Sequence, residues 1–241
     1  MTATPTTDSK TPAPAAHGGT TARLDLGRTS TGFGLAFTIC QAVVMVCMAV
    51  FVLPHGGSPS DPALGRGENV LDAADLYRAG NYVFMLSGTL LLGFLGAVAL
   101  RMRQVDSSGV LATTAVAAGT LLTLIWPMAG MLHDVALETA EAGTDLRILG
   151  GWDAVAPFSL AFSALPRAFF IGALVLGLRA AGAPTRLVGA GVVCLVLGLV
   201  GSATLVTAAL FPVLALGTLA FEIWVGVVAW HWLRNPLPDA A

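Results

Sequence analysis

Six long apolar stretches, separated by short polar segments, account for most of this chain. Each is long enough to span a membrane, because about 20 helical residues cross the roughly 30 Å apolar core of a bilayer. We therefore predict an all-α, polytopic membrane protein built as a bundle of six transmembrane helices. The predicted spans are residues 33–53, 82–100, 109–132, 154–178, 187–211 and 213–233.

The composition supports this class of protein. Of the 241 residues, 56% are hydrophobic and 11% are charged, whereas soluble domains carry about 25% charged residues. The spans and their loops form one transmembrane domain over residues 33–235. Residues 1–32 are rich in Thr, Ala, Pro and Gly without a hydrophobic period and predict a disordered cytoplasmic tail. Residues 236–241 are predicted to be a short cytoplasmic C-terminus.

Several features predict structure at the edges of the spans. The segments 69–81 and 132–149 place apolar side chains on one helical face, which predicts short interfacial helices in the outer loops. Pro212 separates the last two spans and predicts a tight helical hairpin, because proline donates no backbone hydrogen bond. Trp126 is predicted to lie in an aromatic belt at the outer membrane interface.

Basic residues are divided unequally between the two sides of the predicted membrane. Of the 12 lysines and arginines, about eight lie on the side that carries both termini and about three lie in the first and third loops. Because cytoplasmic segments of membrane proteins are enriched in Lys and Arg, we predict that both termini are cytoplasmic. The predicted location is the cell inner (plasma) membrane.

Two charged residues interrupt the apolar spans. Arg167 lies in the fourth span and Glu222 in the sixth, at depths that differ by about 5 Å at ~1.5 Å per helical residue. Gln41 lies near the same depth in the first span. Because an ionised side chain inside a bilayer normally faces a partner within the bundle, we predict an intramembrane polar cluster of these three residues. The cluster either fixes helix registry or serves a ligand, a proton or a substrate.

A second polar group, His133, Asp134 and Glu138, follows the third span at its outer end. It is a weak candidate for a metal site, which needs three or four converging ligands, and a solvated acidic face is the preferred interpretation. The three cysteines all lie inside apolar stretches and predict neither disulfides nor a Cys-x-x-Cys metal site. We therefore expect no metal and no cofactor.

The chain carries no familiar catalytic signature. It contains no His-Glu-x-x-His, Gly-x-Ser-x-Gly or P-loop pattern, so the standard hydrolase, kinase and dehydrogenase activities are set aside. It also lacks a basic patch interleaved with aromatic residues, so nucleic acid is not an expected partner. Whether the protein is an enzyme stays open, with a preference for a non-enzyme.

Three short segments invite comparison with a known family. They are Asp75-Leu76-Tyr77-Arg78 with Asn81-Tyr82, Leu165-Pro166-Arg167-Ala168, and the inner turn Arg179-Ala180-Ala181-Gly182-Ala183-Pro184-Thr185-Arg186. Together with the six-helix layout, they resemble a domain-of-unknown-function family of small bacterial integral membrane proteins. The resemblance covers roughly residues 33–235 and implies a six-helix membrane bundle. It implies no catalytic or ligand residue, because the family has no assigned function.

Three functions are compatible with the sequence. The first is binding or transport of a small polar or anionic molecule at Arg167 and Glu222. The second is a membrane-embedded enzyme that acts on an isoprenoid or lipid, with Glu222 as the general acid. The third is a non-catalytic scaffold or accessory component. The expected partners are the lipid bilayer, an unidentified small molecule and a second copy of the chain, because six helices alone make a small transporter.

The charge bias predicts which loops face the outside. A cysteine introduced at Ser60 or Ala142 should react with a membrane-impermeant thiol reagent in intact cells, because both positions lie in predicted outer loops. A cysteine at Ser107 should react only after the membrane is opened. The mass of the purified protein reports the labelling, and reaction at Ser107 alone in intact cells would reverse the topology.

Overall fold

The computed structural model describes residues 25–47, 50, 61–143, 145–153 and 155–236, without the side chains of residues 152–157. These residues form α-helices and no strand, so the predicted all-α class with six long apolar helices is confirmed. The helices are α1 (Leu26–Cys47), α2 (Ala63–Asp72), α3 (Ala74–Val105), α4 (Val110–Glu141), α5 (Leu146–Asp153), α6 (Val155–Ala180), α7 (Thr185–Ser202) and α8 (Phe211–Arg234).

The six long helices pack as a closed ring in chain order. α1 lies beside α3, then α4, α6, α7 and α8 follow in turn, and α8 returns to α1. Neighbouring helices run antiparallel, so α6 and α8 run in the same direction. α6 also contacts α3 and α8 across the ring. Because all six helices are long and apolar enough to cross a membrane, the chain is a multi-pass membrane protein.

The ring closes tightly where α1 meets its two neighbours. A Cβ atom at Gly34 of α1 would lie 2.7 Å from the ring of Phe94 on α3 and 2.9 Å from Cβ of Ala229 on α8. Only glycine fits this contact without a shift of one helix, since close backbone approach between membrane helices depends on small residues. The packing therefore places the middle of α1 directly against α8.

The first long helix begins earlier than the sequence predicted. Asp25 precedes α1, and its Oδ1 accepts a hydrogen bond from the Arg28 backbone N–H at 2.9 Å, as an N-cap residue does. Residues 26–32, predicted to belong to a disordered tail, are therefore helical. Residues 1–24 of that tail lie outside the described residues, and so does most of the predicted end of the span at residues 48–53.

The second and third long helices extend beyond the predicted spans. α3 begins at Ala74 rather than at residue 82, and α4 continues to Glu141 rather than ending at residue 132. Much of each amphipathic segment that predicted an interfacial helix is therefore an extension of a long helix. The separate short helices are α2, which ends at Asp72, and α5, which begins at Leu146.

The helices α2 and α5 pack against each other at one end of the ring, which we call the acidic end. Their shared core contains Val70 and Leu149 and joins Leu137 of α4. The contact is close, because a Cβ atom at Gly67 would overlap the carbonyl oxygen of Leu146. The described acidic residues of this end are Asp61, Glu68, Asp72, Asp75, Asp134, Glu138, Glu141 and Asp145, together with Asp153 at the end of α5.

The opposite end, which we call the basic end, carries Arg101, Arg103, Arg179, Arg186 and Arg234. Its turn between α3 and α4 is closed by Asp106, whose Oδ2 accepts a hydrogen bond from the Leu111 N–H at 2.8 Å. This bond and those from Ser108 hold the pKa of the Asp106 carboxyl below its ordinary value. The carboxylate thus satisfies backbone donors at the start of α4, which helix geometry leaves unpaired.

Two predictions about aromatic and proline residues are wrong. Pro212 does not form the turn between the last two spans. The chain leaves α7 at Ser202, passes through two short 3₁₀ turns and enters α8 at Phe211, so Pro212 lies in the first helical turn, where its missing N–H costs nothing. Trp126 does not lie in an interfacial belt, because it is buried and stacks on Phe37 with ring centroids 5.7 Å apart.

The contact between α2 and α5 can be tested with two glycines of the same helix. Gly67→Ala should separate α2 from α5, because the new methyl group meets the backbone of Leu146. Gly65→Ala is the matched control, since a Cβ atom there meets nothing within 4 Å and alanine favours helix by ~1 kcal/mol. Hydrogen exchange of α2 and α5 should rise in the first variant only. Equal exchange in both variants would contradict the observed packing.

Candidate functional site

Arg167 is fully buried inside the ring, on α6. Its guanidinium Nη1 donates to Thr218 Oγ1 on α8 at 2.5 Å, and Nη2 donates to Ser163 Oγ, one turn earlier on α6, at 2.6 Å. Both hydroxyls in turn donate to backbone carbonyls of their own helices, those of Leu214 and Leu160. The hydroxyl orientations are thereby fixed, and the guanidinium is held between two rigid acceptors.

An aromatic ring lies next to this guanidinium. Cζ of Arg167 lies 5.5 Å from the centroid of the Phe221 ring, and Phe221 meets Phe170 edge to face at 6.0 Å. A cation over an aromatic face gains electrostatic stabilisation, and the gain is larger where water is excluded. The ring therefore contributes to stabilising the buried charge.

Glu222 lies on α8, one helical turn beyond Thr218, and only 4% of it is exposed. The Arg167 and Glu222 charges interact electrostatically, yet no ion pair within 4.0 Å joins these two described residues. Oε2 of Glu222 is buried and has no hydrogen-bond partner among the described residues. The backbone is held separately, since Thr38 of α1 donates to the Glu222 carbonyl at 2.8 Å. The carboxylate is thus close to the arginine without being neutralised by contact with it.

Gln41 is the third member of the predicted cluster and is 1% exposed. It lies on α1 nearly one turn beyond Thr38, where α1 packs against α8. Its Nε2 is buried without a hydrogen-bond partner in the described ranges of the chain. Among the described residues, no direct hydrogen bond joins Gln41 to Arg167 or to Glu222. The structure therefore buries all three predicted residues on α1, α6 and α8, and leaves them unlinked to one another.

Three buried polar atoms of these residues have no partner in the described part of the chain: Arg167 Nε, Gln41 Nε2 and Glu222 Oε2. Buried polar groups in folded proteins are nearly always hydrogen-bonded, and an unpaired one costs about 1–3 kcal/mol, more if it is charged. Two of the three atoms are donors. Each of these two N–H groups could therefore donate a hydrogen bond to an oxygen atom of a small anion or of a polar molecule.

Sequence reasoning did not identify the residues that hold Arg167. Ser163 precedes Arg167 by four residues and Thr218 precedes Glu222 by four, and this spacing places each pair on one helical face. The spacing could therefore have suggested both hydroxyls. Cys194 of α7 is a further neighbour of Arg167 and is 4% exposed. No sequence spacing relates it to the arginine.

The weak candidates for metal ligands at the acidic end, His133, Asp134 and Glu138, contact residues of α3. Asn81 donates to Asp134 Oδ1 at 2.6 Å and lies 3.4 Å from His133 Nδ1, and the His133 ring packs on Tyr77 with centroids 4.9 Å apart. Glu138 pairs with Arg78. Within the described residues, no group of three or more His, Cys, Asp or Glu side chains could hold a metal ion.

Arg78 extends this connection between the two helices. Its Nη2 lies 2.8 Å from Glu138 and 2.7 Å from Glu141. The segment from Asp75 to Asn81, which carries part of the family resemblance, therefore supplies the contacts between α3 and α4 at the acidic end. These contacts explain why both helices continue beyond the predicted spans.

Comparison of the chain with protein-family models, with curated proteins and with solved structures found no match.

The hydroxyl bond to Arg167 can be tested with an isosteric variant. Thr218→Val leaves Nη1 of a buried guanidinium without its acceptor, so the free energy of unfolding in detergent should fall by about 1–3 kcal/mol. Thr89→Val is the matched control. Thr89 also donates to the carbonyl four residues earlier, but it faces outward, and changes at such positions are usually within ~0.5 kcal/mol. Equal losses in both variants would show that Thr218 does not support Arg167.

Proposed function

We propose that this protein binds a small anion inside its helical ring at Arg167 and carries it across the membrane. The observation that supports the proposal is the state of the guanidinium. It is fully buried, oriented by two hydroxyls, next to an aromatic ring, and not ion-paired with Glu222. An arginine that only fixed helix registry would be expected to meet its opposite charge directly. An arginine that receives an anion needs a free N–H, and Nε provides one.

The charge of the site favours a small, singly charged anion. An arginine side chain stays protonated in proteins, so the site always contains one positive charge. A buried charge is costly unless it is paired. Glu222 does not contact the guanidinium, so an anion bound there would supply a direct contact with an opposite charge. Guanidinium N–H groups also match planar oxyanions, and the amide of Gln41 is a second buried donor, on α1, which packs against α8.

We also propose the location and the orientation that the sequence predicts. The arginines of the basic end support a protein of the bacterial inner membrane whose basic end and both termini face the cytoplasm. Membership of the domain-of-unknown-function family and assembly as a homodimer stay predictions. The membrane enzyme and the scaffold have no specific contact among the described residues in their favour.

Nitrate flux into liposomes tests the proposal. Nitrate is a suitable probe because it is small, planar and singly charged. Liposomes that contain the protein should take up nitrate faster than empty ones. The uptake should fall at least tenfold in Arg167→Gln, which removes the charge, corresponding to about 1.4 kcal/mol or more of lost interaction.

Two controls accompany this measurement. Arg147→Gln removes an arginine whose side chain is 70% exposed, and its uptake should match that of the wild type. Arg167→Lys keeps the charge but loses the Nε–H donor, and its nitrate uptake should lie between that of the wild type and that of Arg167→Gln. Equal nitrate uptake by the wild type, Arg167→Gln and empty liposomes would overturn the proposed function.

A further inference from the structure

The ring buries two opposite charges away from its ends, Arg167 and Glu222. Their sum is zero while the site is empty. A bound anion would change the sum to −1 if the carboxylate stayed ionised, and an uncompensated charge in the interior is strongly unfavourable. Protonation of the carboxylate would restore a sum of zero. The charge of the site thus depends on the protonation of one residue.

We infer that each anion bound at Arg167 enters together with one proton, which Glu222 takes up on Oε2. This inference rests on the proposed function and adds that anion transport is coupled to proton transport. In the empty site, Arg167 is balanced by the Glu222 carboxylate. In the loaded site, Arg167 is balanced by the anion, and Glu222 is a neutral carboxylic acid. When the anion leaves, the proton leaves with it, and no covalent bond to the anion forms or breaks.

Glu222 is placed to exchange a proton because its Oε2 has no hydrogen-bond partner in the part of the chain that the structure describes. The nearby guanidinium directs Nη1 and Nη2 to hydroxyls. A carboxylate in a direct pair with arginine would resist protonation, since the pair favours the ionised form. When protonated, Oε2 becomes a donor and offers the anion a hydrogen bond in place of a repulsive charge.

The other described groups around Glu222 are not suited to take up the proton instead. α8 packs against α1, α6 and α7 and against the 3₁₀ turn Ala208–Leu210. α1 contributes Thr38 and Gln41, which do not titrate, and the thiol of Cys40. α6 contributes Arg167, which stays charged, and α7 contributes Cys194. A protonated thiol is neutral and cannot accept a further proton. The 3₁₀ turn has no titratable side chain. Among the described residues of these elements, Glu222 is the one carboxylate.

This coupling has two measurable consequences. Above the titration range of Glu222, apparent affinity for the anion should fall about tenfold per pH unit, because each binding event consumes one proton. Transport should also be electrically neutral, because one negative and one positive charge cross together. A membrane potential should therefore leave the rate of anion uptake unchanged.

Proton uptake on addition of nitrate is the decisive experiment. Purified protein in weakly buffered detergent solution with a pH indicator receives sodium nitrate at a series of pH values between about 6 and about 9, so that the series includes conditions in which Glu222 is ionised before nitrate is added. Nitrate is the anion of a strong acid, so any proton removed from solution is bound by the protein. Calorimetry in the same buffer gives the amount of nitrate bound. The ratio should rise to about one proton per nitrate at the alkaline end of the series, where the single carboxylate must be neutralised on binding.

Two variants locate the proton. Glu222→Gln should bind nitrate without proton uptake and without pH dependence, because its amide resembles the protonated acid. Glu138→Gln is the matched control at the acidic end, where the carboxylate is 68% exposed, and it should keep the wild-type ratio. The ratio of protons taken up to nitrate bound by the wild type tests the inference without any variant. The inference therefore stays testable if Glu222→Gln folds poorly.

The possible results test proton coupling separately from nitrate binding. Nitrate binding by the wild type with no proton uptake would overturn the inference and leave the proposed function standing. Proton uptake that persists in a folded Glu222→Gln protein would also overturn it. No nitrate binding between pH 5 and pH 8, a window of about physiological range, would overturn the proposed function itself.

Discussion

A permanently charged guanidinium in an apolar, membrane-spanning bundle is the constraint around which the interior is organised. Arg167 cannot lose its proton and, at 0% exposure, has no access to water. Its surroundings compensate through hydroxyls of two helices, an aromatic face and a nearby carboxylate. These groups come from α6 and α8, which run in the same direction across the ring. The contact between these two helices therefore depends on accommodating one charge.

The charge of Arg167 is not compensated by a direct ion pair, and this leaves the site able to bind a ligand. If Arg167 and Glu222 formed a direct ion pair, a ligand would have to break that pair before it could bind. Instead the hydroxyls of Ser163 and Thr218 hold the guanidinium, and the carboxylate stays separate with Oε2 unpartnered. A proton on Glu222 and an anion on Arg167 can then bind without first separating an ion pair.

The sequence predicted the parts of this structure that depend on composition along one helix. Length and hydropathy are sufficient to identify six spans, and the high cost of a charge in lipid is sufficient to single out Arg167 and Glu222. The partners of Arg167 depend on how each helix is rotated and packed, which a single span does not encode. Trp126 shows the same limit, because its depth suggested an interface while its rotation buries it on Phe37. The lengths of α3 and α4 depend on Arg78 and Asn81 contacts between the helices.

Whether Arg167 keeps a place for an anion inside the ring can be seen by anomalous diffraction. Crystals of the protein grown from lipid with sodium bromide would reveal bound bromide by its anomalous signal, independently of any activity. We expect a peak within hydrogen-bonding distance of Arg167 Nε that is absent from crystals of Arg167→Gln. Bromide found only at the exposed arginines of the basic end, with none beside a buried Arg167, would contradict it.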